Sequence, residues 1–294
     1  MEREQILYTI PFDFEVLRQV MDVMKDAWSM PDYTEAIPPH MMKAIMDNGG
    51  LLEVAILNGR VIGFVLGFIG YDQEYGFYHY SHMLGVRKEF RGKDVALNLK
   101  LKQREWSLKM GFRLVVWTFD PHQGLNARFN FGKLGVVSRR FYEDYYGEIR
   151  DGINIGLPTD RFKVEWWVSS SRVSNRLEGN DKPPTFDEVK DLSFFTLETQ
   201  KEGGIRVARK TRIDFSKEVV LVEFPGDVNS LRDECLKCAL RWKLLFREVI
   251  KSYLQQGYIV VEHLSLFEDE ERRNFYLLAK TSLDKILAGE YPWR

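Results

Sequence analysis

One stretch, residues 77–112, constrains the fold of this chain more than any other. It begins with ten residues that mix apolar, aromatic and β-branched types and end on Leu84, Gly85 and Val86, as a buried strand would. Its last eighteen residues predict a helix that stops at Gly111 and carries Lys100 among its polar positions. The helical period places one apolar face inward, formed by Val95, Leu99, Trp106 and Met110. Between strand and helix lies a basic turn, residues 87–94, and the first amides of a helix attract anions because they lack internal partners.

This turn resembles the acyl-CoA signature of the GCN5-related N-acetyltransferases (GNAT), which is Arg/Gln-x-x-Gly-x-Gly/Ala after a strand. Arg91, Val95 and Ala96 fit the pattern. In that family the turn amides hold the cofactor pyrophosphate and the strand edge pairs with the pantetheine. The resemblance therefore implies acetyl-CoA, or another acyl-CoA, as the cofactor. The cofactor-binding residues that it implies are Leu84, Gly85, Val86, Arg91, Gly92, Lys93, Asp94, Val95, Ala96 and Asn126.

Asp94 stands where the GNAT signature usually has its central glycine. We expect this carboxylate to repel a pyrophosphate, and it is able to cap the helix by accepting the same amides. The segment from Asn126 to Gly135 resembles the next helix of the family, in which Asn126 either bonds the pantetheine or caps its own helix. The tyrosine that protonates the leaving thiolate in that family is replaced here by Phe131. Tyr142, or one of its neighbours Tyr145 and Tyr146, is the candidate replacement.

The candidate bases lie on the strand that precedes the turn. His82 and Tyr80 share a strand face, and His82 has an intrinsic pKa suited to accepting a proton from an ammonium. A hydrogen-bonded core histidine is the alternative interpretation of His82. Asp72 and Glu74, in the preceding turn, are alternative proton acceptors. The family also implies an amide between Leu84 and Val86 that polarises the thioester carbonyl, unless the glycine there only relieves crowding.

The predicted order of elements is strand, two helices, three strands, helix, strand, helix and two strands, which is the GNAT order. We therefore predict an α/β (α+β) protein of the GNAT fold, with a mixed, mostly antiparallel sheet flanked by helices. The predicted domains are an acyltransferase domain at 1–168, a linker or surface excursion at 169–186 and a smaller C-terminal α/β unit at 187–294. The whole chain resembles predicted GNAT acetyltransferases with such an extension, in Ser81–Val86, Phe119–Pro121 and Gly156–Arg161.

The composition limits the partners. A formal net charge of −1 gives no reason to expect nucleic acid or an anionic membrane as partner. The first residues lack a signal-peptide pattern and no stretch is apolar enough to span a bilayer, so we expect a cytoplasmic protein. Cys235 and Cys238 are interpreted as reduced thiols on one helical face, and no metal site is predicted.

These features predict an acyl-CoA-dependent N-acyltransferase, with acetyl as the default acyl group, whose small amine acceptor attacks directly. The alternative is a non-catalytic acyl-CoA-binding or protein-interaction module on the same fold. Nucleotide binding on a Rossmann-like sheet is disfavoured because no G-x-G-x-x-G turn follows any strand. A homodimer is left open.

Overall fold

The computed structural model describes residues 5–147 and 156–294. The described chain forms two compact units, one made of residues 5–117 and the other of residues 118–147 and 156–294. Each unit is described by itself below.

The first unit is built on five strands. They lie in the order β1 (Leu7–Thr9), β2 (Leu51–Leu57), β3 (Arg60–Asp72), β4 (Gly76–Val86) and β5 (Val115–Phe119), within which the unit ends. The first four pair antiparallel, whereas β5 pairs parallel to β4. The β2–β3 turn has positive φ at both Asn58 (51°) and Gly59 (76°), as the Asn-Gly pair favours.

Three helices cover the two faces of this sheet, namely α1 (Phe14–Trp28), α2 (Pro39–Asp47) and α3 (Val95–Lys109). Asp13 caps α1 by accepting a hydrogen bond from the Glu15 amide at 2.8 Å. One core lies between α1, α2 and the sheet, and a second lies between α3 and the opposite face. This mixed, mostly antiparallel sheet flanked by helices confirms the predicted fold class.

The buried face of α3 differs from the predicted one. Val95 and Leu99 are buried as expected, but Met110 is 50% exposed. The remaining fully buried positions are polar, namely Lys100, Gln103 and Ser107. Lys100 and Gln103 bond polar side chains of β4, so the buried face of the helix differs from the one that hydrophobic periodicity alone predicts.

The second unit contains a six-stranded sheet and a two-stranded ribbon. Its strands are β6 (Val137–Tyr142), β7 (Arg161–Trp166), β8 (Phe194–Phe195), β9 (Leu197–Glu202), β10 (Ile205–Thr211), β11 (Val219–Phe224), β12 (Ile259–Glu268) and β13 (Glu271–Ala279). The sheet order is β7-β6-β12-β13-β11-β8, and β9 pairs with β10. Its helices are α4 (Gly124–Ala127), which continues as a π-helical segment (Arg128–Leu134), α5 (Ser171–Glu178), α6 (Phe186–Val189), α7 (Val228–Glu234), α8 (Leu236–Gln255) and α9 (Leu283–Ala288).

The compact units divide the chain between Trp117 and Thr118, whereas the sequence predicts a domain boundary after residue 168. The predicted linker at 169–186 contains α5, which Ser170 caps and in which Val173 is fully buried. This segment is therefore packed structure. Its polar composition favours a linker, so composition alone does not indicate the short helix that it contains. The assignment of separate functional domains stays a prediction.

The interpretation of the two cysteines is wrong in one respect. Cys235 and Cys238 are joined by a disulfide. Cys235 also separates α7 from α8, since it ends the first helix and caps the second. Within the described residues, no helix combines the length and the apolar character that crossing a bilayer requires.

Candidate functional site

The basic turn after β4 is fastened to the end of α1. Arg91 donates from Nη2 to the Ala27 carbonyl at 2.7 Å and from Nε to the Val86 carbonyl at 3.4 Å. The Lys88 amide donates to Asp26 Oδ2 at 2.8 Å. The Arg91 guanidinium, predicted to bind cofactor, therefore holds the main chain of the turn in place.

Asp94 occupies the helix N-cap in the left-handed conformation, with φ of 56° and ψ of 9°. This conformation explains why the GNAT signature has glycine here, since only a few non-glycine residues, Asp among them, tolerate it. The Asp94 carbonyl accepts the Asn98 amide at 2.9 Å, whereas its carboxylate makes no capping bond. The expected cap is therefore wrong, and the amides of residues 95–97 are not occupied by this side chain.

Gly92 and Lys93, between Arg91 and Asp94, lie at the exposed surface of the turn. Gly92 has φ of 78° and nothing lies within 4 Å of a Cβ built on it. The Lys93 ammonium lies 5.0 Å from the centre of the Phe90 ring. The first turn of α3 thus presents main-chain donors, a positive dipole end and one lysine at an exposed surface.

The strand before this turn separates from its neighbour. Among the described residues, the parallel pairing of β4 with β5 covers only His79↔Val115 and Tyr80↔Val116. On its other edge β4 pairs with β3 through Val86, with a register shift that leaves His82 as an extra, bulged residue. Bulges of this kind are common beside active sites, where they redirect side chains. The segment from Ser81 to Val86 therefore lies outside the β5 ladder.

The residues predicted to polarise the thioester carbonyl have mixed surroundings. Leu84 and Val86 pack into the core beneath α3. Gly85 is crowded, because a Cβ at this position would lie 2.7 Å from Phe64 Cε1 and 3.1 Å from Trp28 Cζ3. Relief of crowding is thus a sufficient reason for this glycine, and the role of the neighbouring amides stays a prediction.

The predicted bases belong to an aromatic cluster at the bulge. The Phe68 ring centre lies 5.3 Å from that of Tyr80 and 5.7 Å from that of His82. The His82 side chain is exposed to solvent. The protein atoms around it nevertheless desolvate the imidazole in part, and this lowers its pKa below the ordinary value. Its imidazole is therefore neutral at pH 7, in the form that accepts a proton. His79, on the other face of β4, is fully buried, and desolvation lowers its pKa to about 3.

The alternative proton acceptors and the remaining predicted site residues each have local contacts of their own. Asp72 Oδ1 accepts the Glu74 amide at 2.9 Å, so this carboxylate stabilises its own turn. Tyr142 and Asn126 belong to the second unit. Tyr142 stacks on Tyr145 with ring centres 5.0 Å apart. Asn126 is exposed inside α4, whose N-cap is Gln123, so the capping interpretation of Asn126 is wrong.

Two further points concern the residues that the structure describes. Residues 148–155, between β6 and β7, lie outside the described residues. No group of three or more His, Cys, Asp or Glu side chains able to hold a metal is found in the described ranges.

Sequence reasoning missed one cluster beside the site. Lys100 donates to Ser81 Oγ at 3.0 Å and to Gln103 Oε1 at 2.9 Å, and Gln103 Nε2 lies 3.0 Å from His79 Nε2. The Lys100 ammonium also lies 3.6 Å from the centre of the Trp117 ring. A lysine in a helix is normally expected at the surface, so the 3- and 4-residue spacing of Lys100, Gln103 and Ser107 was the only available signal.

The geometry of strand, turn and helix agrees with a comparison of the sequence with known families. Residues 17–135 match the model of the Acetyltransferase (GNAT) family. This part of the chain belongs to the GNAT family. The GNAT segment includes the bulged strand, the turn and the whole of α3. Among curated proteins, no sequence matches the chain.

Solved structures with a GNAT fold also resemble the chain. Arabidopsis thaliana Naa50, in complex with the bisubstrate analogue CoA-Ac-MVNAL, is 15% identical over 54% of this chain and 97% of its own, with a TM-score of 0.41. The ribosomal-protein-S18-alanine N-acetyltransferase of Escherichia coli is 11% identical over 57% and 96%, with a TM-score of 0.44. A GNAT-family acetyltransferase of Streptococcus pneumoniae is 14% identical over 55% and 98%, with a TM-score of 0.42.

Proposed function

We propose that this protein is an acyl-CoA-dependent N-acyltransferase that transfers an acyl group, by default acetyl, to a small amine by direct attack. The observation that carries the proposal is the start of α3, where no capping bond from Asp94 occupies the first amides. These donors lie directly after a strand that has left its parallel neighbour. Membership of the GNAT family supports acetyl-CoA as the cofactor.

The cofactor would bind along this strand and turn. The amides of Val95 and Ala96, with Gly92 and Lys93 beside them, would hold the pyrophosphate. The pantetheine arm would pair with β4 between Leu84 and Val86, where the β5 ladder is absent. The amides there would polarise the thioester carbonyl as negative charge develops on its oxygen.

The acceptor would approach the aromatic cluster of Phe68, Tyr80 and His82. Aromatic faces attract the ammonium form of an amine, and the neutral imidazole of His82 takes the proton that must leave before attack. The amine nitrogen then forms its bond to the carbonyl carbon, and the thiolate of CoA leaves and is protonated. Tyr142 stays the predicted proton donor for that thiolate.

The first experiment is calorimetry with two thioesters, acetyl-CoA and S-acetylpantetheine, which lacks the pyrophosphate. We expect acetyl-CoA to bind at least about tenfold more tightly, because only it reaches the amides of the turn. Equal affinities would contradict the anion site, and absence of binding by both would contradict the cofactor.

The second experiment measures thiol release from acetyl-CoA across a panel of small amines. Amine-dependent release above the hydrolysis background is the expected result. Tight binding of acetyl-CoA without turnover of any amine would instead favour the non-catalytic acyl-CoA-binding module. The acceptor stays a small amine, the proposed compartment stays the cytoplasm, and neither a nucleic acid nor a membrane partner is proposed.

A further inference from the structure

Helix α3 buries a polar stripe where an apolar one is normal. Lys100 is 2% exposed, and Gln103 and Ser107 are fully buried. The stripe is not optimised for stability, because Ser107 Oγ and His79 Nδ1 have no hydrogen-bond partner in the described part of the chain. Departures from good packing of this kind tend to occur at functional sites.

The contacts of Lys100 coincide with the point at which the two parallel strands separate. The last residue pair of the β4–β5 ladder is Tyr80↔Val116. The next residues on the two strands are Ser81 and Trp117. Lys100 donates to Ser81 Oγ at 3.0 Å and lies 3.6 Å from the centre of the Trp117 ring. One ammonium group therefore contacts both strands one residue beyond their last pair.

Lys100 is also connected to the part of β4 that is still paired with β5. Gln103 accepts a hydrogen bond from Lys100 at 2.9 Å and contacts His79 Nε2 at 3.0 Å. The His79 amide in turn donates to the Leu114 carbonyl at 3.1 Å, within the paired part of the strands. Gly67 leaves room for the imidazole, since a Cβ there would lie 2.4 Å from His79 Nε2. The ladder and the ammonium are thus connected through one chain of buried polar groups.

The proposed site begins directly after the separation point. Ser81 precedes the bulged residue His82 directly, and the amides of residues 84–86 lie within the next five positions. A shift of the separation point by one residue pair would change where these groups stand, because it would extend the ladder to Ser81 and Trp117. The contacts of the α3 cluster are with the strands, so any effect of it on the proposed site would pass through β4.

We propose that Lys100 is a positioning residue for acyl transfer, whose Nζ fixes the point at which β4 leaves β5. The inference rests on the proposed function for its catalytic consequence, although its effect on the strand is measurable without any substrate. Lys100 reaches the strand from the middle of α3, whereas the proposed cofactor amides lie at the start of that helix. Its removal should therefore lower turnover more than cofactor affinity.

The test compares Lys100→Met with Lys102→Met. Methionine keeps the length and apolar stem of lysine but removes the ammonium. Lys102 lies on the exposed face of the same helix, where it pairs with Glu105 at 3.3 Å, so its variant controls for the loss of a charge from α3. Ser81→Ala removes one partner of the ammonium and leaves Lys100 in place.

The first readout is amide hydrogen exchange in the free protein. We expect Lys100→Met to change exchange at the amides of residues 81–86 by about tenfold or more, Ser81→Ala to change the same amides by less, and Lys102→Met to leave them at the wild-type rate. Wild-type exchange at these amides in Lys100→Met would overturn the inference.

The second readout separates kcat from KM. With an amine that the wild type acylates, Lys100→Met should lose about tenfold or more in kcat, with KM for acetyl-CoA within about threefold of the wild type. Unchanged kcat in Lys100→Met, with altered exchange, would overturn the positioning role. A wild type that binds no acetyl-CoA would instead contradict the proposed function, so the two failures are distinguishable.

Discussion

At the scale of single residues, we expect Asp94 to set how strongly the turn binds an anion. Its left-handed backbone is the conformation that glycine supplies in the GNAT signature, and its carboxylate adds a negative charge that glycine lacks. Because the carboxylate makes no capping bond, it does not remove the donors of the turn. Charge and backbone geometry are therefore separate effects at this position, and two substitutions separate them.

Asp94→Asn removes the charge and retains a side chain that tolerates the left-handed conformation. We expect it to bind acetyl-CoA about tenfold more tightly than the wild type, with S-acetylpantetheine unaffected, since only the pyrophosphate feels the charge. Asp94→Gly should tighten binding at least as much. Calorimetry measures both, and unchanged affinity in Asp94→Asn would show that the carboxylate does not oppose the phosphates.

His82 is the second residue whose role is testable by itself. Its lowered pKa keeps the imidazole neutral near pH 7, so the contribution of this ring to the pH dependence of the rate should appear only where it becomes protonated. For a base the active form is the unprotonated one, and the acid limb of kcat/KM should therefore lie below pH 6.5, the ordinary pKa of histidine.

His82→Gln should lower kcat about 10²-fold and abolish that acid limb, because glutamine keeps a polar group but accepts no proton in this range. Acetyl-CoA affinity should stay within about twofold. A pH–rate profile of the variant that retains the acid limb would assign the proton transfer to another group, and Tyr80→Phe is the next variant to examine.

At the scale of elements, the position of the turn depends on α1. Arg91 bonds the Ala27 carbonyl at 2.7 Å, and Lys88 Nζ bonds Ser29 Oγ at 2.8 Å. The proposed anion site is thus held by contacts between the end of α1 and the turn before α3, although α1 contains no part of the signature.

Arg91→Met should loosen this attachment. We expect amide exchange of the free protein to rise at residues 92–95 and acetyl-CoA binding to weaken by about tenfold, because the donors lose their fixed geometry. Arg60→Met is the matched control, since Arg60 pairs with the exposed Glu89 at the same turn. Weaker binding without a change in exchange would instead assign Arg91 a direct contact with the cofactor.

The elements of the first unit were largely predictable and the contents of its site were not. Asp13 and the Asn58-Gly59 turn between two apolar runs each follow local rules, so α1 and the β2–β3 hairpin occur where the sequence places them. The buried Lys100 and the bulge at His82 depend on neighbours far along the chain. Helical periodicity cannot detect a lysine that is stabilised by a hydroxyl, an amide and an indole ring.

At the scale of the whole molecule, buried charge explains why the predicted linker is structured. In the second unit, Arg172 and Arg176 of α5 both bond Glu262 Oε1, at 2.8 and 2.7 Å, and Arg176 also bonds Asp181 at 2.8 Å. These groups are nearly fully buried. Removing one partner of such a network leaves a buried charge uncompensated, so this polar segment is fixed by partners distant in sequence.

Buried histidines in both units make the stability of the protein sensitive to acid. Desolvation lowers the pKa of His79 to about 3 and that of His263 to about 4, and burial also lowers the pKa of His122. In the unfolded chain these rings titrate near pH 6.5, so the unfolded state binds more protons below that pH. The free energy of unfolding should therefore fall as the pH decreases from 6.5.

For His79 alone, the loss between pH 7 and pH 5 should be about 2 kcal/mol, since each pH unit below 6.5 and above the folded pKa costs about 1.4 kcal/mol. His79→Gln should reduce the pH dependence of the unfolding free energy by about that amount, whatever its effect on stability at pH 7. Urea unfolding at the two pH values measures it, with the exposed His40→Gln as control. Equal pH dependence in His79→Gln and the wild type would mean that His79 becomes protonated without unfolding, and that the polar stripe under α3 accommodates a positive charge on this imidazole.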